Sequence, residues 1–249
     1  MMTIDLAVIG GTGVYKLAGL QWLDALTVET LYGAPSGPIR IAKIGEQLIA
    51  FLARHGEAHA LPPHKVNYRA NLKALKDLGA GSILAINTVG GITEQYGPRV
   101  LAVPDQIIDY TWGRISTFSE ELGSEVLHVD FTEPYSEQLR QSLIKACALS
   151  KVSVVVGGCY AATQGPRLES RAEILRLKRD GCDLVGMTGM PEAGLARELG
   201  LQYASLCVVA NWAAGCDPLN VEITLQEVLA NVESVSDCLL PIIKQLLKP

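Results

Sequence analysis

An α/β fold, built on a mixed and largely parallel β-sheet covered by helices, is what this 249-residue sequence predicts. Three observations carry the prediction. Short β-rich runs alternate with helical patterns, several helices stop at glycine, and almost every strand ends on small or polar residues. No repeat, low-complexity linker or composition break divides the chain, so a single domain over residues 1–249 is expected.

The elements follow in chain order. Strands are expected at Asp5 to Ile9, Ile39 to Lys43 and Gln47 to Ala53, each a short apolar run bounded by turn formers. A helix from about Lys65 places Tyr68, Leu72, Leu75 and Leu78 on one face and stops at Gly79. Strands at Ser82 to Ile86 and Val100 to Val103 precede a helix from about Ser136 to Ala148. A strand at Val152 to Val156 leads to a helix from about Ser170 to Arg179, ended by Gly181. Asp183 to Val185 is the next strand, followed by a helix that Pro191 opens and Gly200 stops. Gln202 to Val209 is the last strand. The final helix starts on the capping pattern Thr224-Leu-Gln-Glu227 and is kinked or interrupted near Pro241.

Composition narrows the function. The chain is 49% hydrophobic with 24 glycines, which suits a compact enzyme with many tight turns. A net charge of −5 argues against a general nucleic-acid surface. Cys147, Cys159, Cys182, Cys207, Cys216 and Cys238 show no C-x-x-C spacing and read as reduced core residues, not as a disulfide frame or zinc site. No apolar run reaches the roughly 18 residues of a membrane span. No basic leader precedes the first strand, and a soluble, cytoplasmic protein is expected.

Five strand ends carry candidate chemistry. Ile9 to Gly13, I-G-G-T-G, turns backbone N–H groups toward an anion, with the Thr12 hydroxyl added. A dinucleotide fingerprint fails there, because no glycine stands at position 16. Arg54 and His55 follow an apolar strand and offer a bidentate fork and an imidazole donor, both suited to phosphate. Asn87 and Thr88 can contact an anion where Gly90-Gly91 permits close approach. Glu169 stands just past a Gly-Pro turn where a helix begins, ordinarily a helix N-terminal charge. Thr188 lies near another helix N-terminus. Together they describe a pocket for phosphate, with no metal ligands and no P-loop lysine. His59 and His64 stay unassigned. Asn211, at the end of the apolar run Leu206 to Ala210, brings an amide that needs a partner.

From IGGTG through ARHG, KVNYRAN, QGPRLES and VGMTGMPE to QEVL, the chain resembles the trimeric purine nucleoside and methylthioadenosine phosphorylases. The resemblance implies a single domain with a twisted mixed sheet, a homotrimer with active sites near subunit contacts, and a role in purine salvage. It implies attack of inorganic phosphate, a co-substrate, on C1′ of a purine nucleoside. No other cofactor, metal, nucleic-acid polymer or membrane is expected. By position, Thr12, Arg54, His55, Asn87, Thr88 and Thr188 would hold phosphate, and Met187 would contact the ribose through its backbone.

Two departures refine that expectation. The adenine-using enzymes carry aspartates where this chain has Asn211 and Ala213, flanking Trp212, and a serine where it has Glu169. The Glu169/Asn211 pair is similar to the 6-oxopurine enzymes: a carboxylate accepts from N1–H, and an amide donates toward O6 or N7. Asn211 would thus be catalytic as well as base-reading. The 5′ end points elsewhere. Leu225, with Val228 and Leu229, stands where the 6-oxopurine enzymes carry a histidine for the 5′-hydroxyl, and His128 matches a histidine lent by a neighbouring subunit. Ordinary helix core is the alternative for Leu225 and Val228. An oxopurine base with a methylthio 5′ end is the nucleoside these departures describe. Inosine or guanosine, or methylthioadenosine, are the alternative substrates; a dinucleotide-dependent oxidoreductase or a non-catalytic purine binder are readings from other classes.

Overall fold

The computed structural model describes residues 3–11, 17, 19–120, 126–219 and 221–248. Eleven strands among them join one mixed sheet. In chain order they are β1 Leu6–Gly10, β2 Gln21–Leu26, β3 Ile39–Ile44, β4 Gln47–Ala53, β5 Ser82–Gly91, β6 Leu101–Val103, β7 Gln106–Asp109, β8 Val154–Val156, β9 Cys159–Ala162, β10 Leu184–Gly186 and β11 Gln202–Trp212. The helices are α1 Tyr68–Asp77, α2 Glu137–Leu149, α3 Arg171–Arg179, α4 Glu192–Glu198, α5 Leu225–Ser236 and α6 Leu239–Leu246. No helix among the described residues is long and apolar enough to cross a membrane.

Strand alternation sorts the core into two faces. Ala7, Ile9, Ile83 and Ala85 pack with Leu72 and Leu75 of α1 and Leu195 of α4. Their neighbours Leu6, Val8, Leu84 and Ile86 pack on the other face with Leu143 of α2 and Ile242 of α6. Each such side chain contributes about 1.5–3 kcal/mol on burial. Beyond β5 the sheet continues through β10 and β9, where Ile174 and Leu177 of α3 cover Ala161 and Val185.

The structure corrects several expected boundaries. β5 runs to Gly91, not Ile86, and β11 to Trp212, not Val209, because the two pair in parallel along their whole length. Asn87, Thr88 and Asn211 therefore lie within strands, and the register shifts between Val209 and Asn211. Helix α1 starts at Tyr68, not Lys65; Pro63–Lys65 form a 3-10 turn, and the Asn67 side chain caps α1 by accepting from the Ala70 N–H at 3.1 Å. The last helical segment is interrupted before Pro241, which sits in the first turn of α6. Strands β2, β7 and β9 were not expected. β2 is exposed along nearly its whole length, so it lacks the apolar alternation that marks a half-buried strand.

Gly91 has a steric reason to be glycine. A Cβ there would overlap the Tyr96 carbonyl oxygen, which is backbone and cannot swing aside. Gly91→Ala should therefore cost about 1–3 kcal/mol or more, read as a lowered urea midpoint with an unchanged slope.

Candidate active site

The site is set by a change of partner along one edge of β5. Over its first half that edge pairs in parallel with β1, Ile9 opposite Ala85. Over its second half it pairs antiparallel with β10, Val185 opposite Gly90. The carboxyl ends of β1 and β10 thus point toward each other across Asn87 and Thr88. Carboxyl ends of strands at a topological switch point are where α/β sheets bind ligands.

The strand β4 brings Arg54 beside this gap, its N–H bonded to the Gly10 carbonyl at 2.8 Å. Arg54 is 2% exposed and Glu192 fully buried. Nε and Nη2 of Arg54 each meet the Glu192 carboxylate at 2.8 Å. Nη1 donates to the Ile86 carbonyl at 3.1 Å, and Nη2 reaches the Ile9 carbonyl at 3.5 Å. Burial opposes the charge, and Glu192 more than offsets it, holding the Arg54 pKa above its ordinary value. The fork expected to face an anion is therefore closed on Glu192. By donor count, one Nη1 N–H remains for a ligand among the described residues.

His55 also differs from expectation. Its Nδ1 stands 2.8 Å from the Leu61 carbonyl, which can only accept, so Nδ1 carries the proton. Burial, then the Arg54 charge, lowers its pKa from 6.5 to about 4. At neutral pH Nε2 is then a bare lone pair: an acceptor for a phosphate hydroxyl, not a donor. The His59 ring packs against it, centroids 4.8 Å apart. Nδ1 of His64 is buried with no partner among the described residues.

Asn87 is buried, its Nδ2 donating to Ser205 Oγ at 2.7 Å and its Oδ1 accepting from Thr188 Oγ1 at 3.2 Å. It therefore aims Thr188, while Thr88 beside it is exposed. The Thr188 N–H donates to the Tyr160 hydroxyl at 3.3 Å. A Cβ at Gly186 or Gly189 would strike that tyrosine, which explains the glycines around Met187 and Thr188. Thr12 lies outside the described residues.

On the nucleoside side, Glu169 is not the helix-terminal charge of α3. Ser170 and Glu173 cap that helix reciprocally. Glu169 is half-buried and instead accepts from Thr163 Oγ1 at 2.6 Å. Asn211 donates one N–H to the Trp212 carbonyl at 2.7 Å, and its Nδ2 lies over bare Gly90. Asn211, Trp212, Ala213 and Arg171 line a cavity of about 60 Å³ with Ile223 and Glu227. The expected pocket at the start of α5 is open in the single chain: Leu225 is 73% and Leu229 60% exposed, Val228 is half-buried and His128 is exposed. The one buried residue of α5 is Asn231, which donates to the Ala210 carbonyl and accepts from Arg99 Nε, each at 2.8 Å.

Sequence reasoning passed over Glu192 and Asn231. Glu192, directly after Pro191, reads as a first-turn helix charge, and its true partner lies 138 residues away.

Comparisons with known proteins place the chain in a family. A model of the Phosphorylase superfamily matches residues 5–248. A probable S-methyl-5′-thioinosine phosphorylase of Xanthomonas campestris pv. campestris is 64% identical over 244 residues, 98% of this chain and 97% of that protein. A probable 6-oxopurine nucleoside phosphorylase of Thermococcus kodakarensis is 46% identical over 218 residues, 86% of this chain and 81% of that one. The structure of Schistosoma mansoni methylthioadenosine phosphorylase with adenine superposes with a TM-score of 0.92 at 32% identity, covering 98% of this chain and 91% of that one. The chain belongs to the phosphorylase superfamily and is an enzyme, a pentosyltransferase of the nucleoside phosphorylase type.

The lowered His55 pKa has a measurable consequence. Between about 6.5 and about 4 the unfolded chain takes up a proton on His55 that the folded chain refuses. Stability from this residue is full above about 6.5 and is lost as pH falls toward about 4. Thermal melting followed across that window should fall less steeply for His55→Asn, which keeps a donor for Leu61. An equal slope in both proteins would mean that His55 is not held neutral.

Proposed function

We propose that this enzyme catalyses phosphorolysis of S-methyl-5′-thioinosine, giving hypoxanthine and 5-methylthioribose 1-phosphate. The observation that carries the reading is Glu169. Freed from capping α3 and held by Thr163, it keeps a lone pair for the N1–H of a 6-oxopurine, and it would repel the N1 lone pair of adenine. The name of the Xanthomonas relative supports the same nucleoside.

In the proposed reaction phosphate lies between the ends of β1 and β10, against Thr88, Thr188, His55 and the free Arg54 N–H; Thr12 is assigned to the same anion from the sequence alone. The Met187 backbone meets the ribose. A phosphate oxygen bonds to C1′ as the C1′–N9 bond breaks, and the bonding pair leaves on the purine. Asn211 donates toward O6 and N7, where that charge collects, so its hydrogen bond is stronger in the transition state than in the ground state. Trp212 and Ala213 flank the base. Leu225 and Val228 take the methylthio group, with His128 of a neighbouring copy closing the pocket in a homotrimer. The exposure of Leu225 and Leu229 in the single chain fits a surface completed by such a copy. The second reading is a 6-oxopurine nucleoside phosphorylase acting on inosine, suggested by the exposure of Leu225 and Leu229, which close no apolar pocket among the described residues of a single chain.

Base release from methylthioinosine, inosine and methylthioadenosine, with and without phosphate, separates these. Turnover should require phosphate and ignore chelators. Methylthioinosine should exceed inosine by roughly ten- to two-hundred-fold, the worth of burying one small apolar group. Inosine as the better substrate would sink the methylthio assignment. Asn211→Ala should lower kcat by ~10²–10³, as loss of a preorganised donor does. Glu169→Ser with Asn211→Asp should shift preference toward methylthioadenosine; an unmoved ratio would remove both residues from base reading.

A further inference from the structure

Arg114 stands on the loop after β7 and belongs to none of the strand ends above. Its five N–H groups lie within hydrogen-bond distance of six acceptors, so one is shared, and none of the six is a carboxylate. Nη1 donates to the carbonyls of Met187 at 2.8 Å and Met190 at 2.6 Å, and approaches the Tyr68 hydroxyl at 3.2 Å. Nη2 donates to the carbonyls of Thr163 at 3.1 Å and Gln164 at 2.8 Å, while Nε meets Gln164 Oε1 at 3.3 Å. The cation also sits 5.7 Å from the centre of the Tyr68 ring.

These contacts join two segments that sequence keeps apart. Thr163 holds Glu169 through its hydroxyl, on the base side. Met187 and Met190 bracket Thr188, whose hydroxyl is bonded to Asn87 on the phosphate side. Backbone carbonyls from both loops converge on one planar cation, which only a five-donor fork can satisfy together. Among the described residues no carboxylate forms an ion pair with Arg114. Its charge is therefore left facing dipoles in a site that must hold phosphate and a developing purine anion.

We infer that Arg114 is a positioning residue that clamps the base-reading loop at Thr163–Gln164 and the phosphate loop at Met187–Met190 to a single guanidinium, coupling the two halves of the active site. The inference rests on the phosphorolysis reading above but not on which nucleoside is preferred.

The test is made on whichever of methylthioinosine, inosine or methylthioadenosine the unaltered enzyme cleaves fastest, so an error in the base assignment does not affect it. Arg114→Ala should lower kcat/KM by about 10²-fold, the usual penalty for displaced reacting groups. The KM for phosphate and the KM for nucleoside should rise together, because both loops are released. Added guanidinium chloride, at concentrations that leave the melting curve of the unaltered enzyme in place, should restore part of the rate; equal sodium chloride should not. Arg114→Lys keeps the charge without the fork, serves if the alanine variant does not fold, and should remain at least tenfold impaired. Activity within twofold of the unaltered enzyme in either variant would overturn the clamp. So would a rise in only one of the two KM values, or a folded alanine variant that guanidinium leaves unrescued.

Discussion

The buried pair between Arg54 and Glu192 is the interaction on which the architecture of the site depends. It joins the end of β4 to the first turn of α4, and through the carbonyls of Ile9 and Ile86 it touches β1 and β5 as well. Tyr203 of β11 completes the set by donating its hydroxyl to Glu192 at 2.9 Å. Replacing such a pair by apolar groups is often neutral, whereas removing one partner strands a charge at a cost of about 3–5 kcal/mol. The pair is thus weak evidence for stability, but it joins elements that sequence keeps far apart. It ties the ends of β1 and β4 and the middle of β5 to the first turn of α4, the segments next to His55 and Thr188.

From that junction the chemistry follows by short steps. The strand β5 trades a parallel neighbour for an antiparallel one, and the exchange opens a gap faced by Thr88 and bordered by Thr188. Asn87 spends its amide on Ser205 and Thr188, so a buried polar residue orients the one that reaches the gap. On the far side, the bulge in β11 at Asn211 and the missing side chain of Gly90 leave room beneath the amide. The positions proposed for phosphate and for the base therefore flank β5 on its two sides, within a few strand spacings of about 4.8 Å each.

Much of this was legible in the sequence, and the exceptions have physical causes. Long apolar runs located β4 and most of β5 and β11, because burial on both faces leaves a continuous signal, and glycine or proline at their ends marked the helices α3 and α4. The strand β2 is exposed and lacks an apolar pattern, and β7 and β9, at four residues each, are too short for one to register. Residue types suited to phosphate were recognisable at each strand end. Their partners were not, since Glu192, Ser205 and Tyr160 reach them only through the sheet. That is why Arg54 reads in sequence as an open fork and His55 as a donor, while in the fold one is closed on a carboxylate and the other is a neutral acceptor. Arg114 left no trace, because its partners are backbone carbonyls, which any sequence supplies.

The proposed reaction requires phosphate in the gap between the ends of β1 and β10 while Glu169 reads the base. A crystal structure of the enzyme with phosphate and hypoxanthine tests it most directly. Phosphate is expected within hydrogen-bond reach of both Thr88 and Thr188, and hypoxanthine with N1 against Glu169 and O6 or N7 against Asn211. Phosphate bound away from both threonines, or hypoxanthine turned so that O6 faces Glu169, would contradict it.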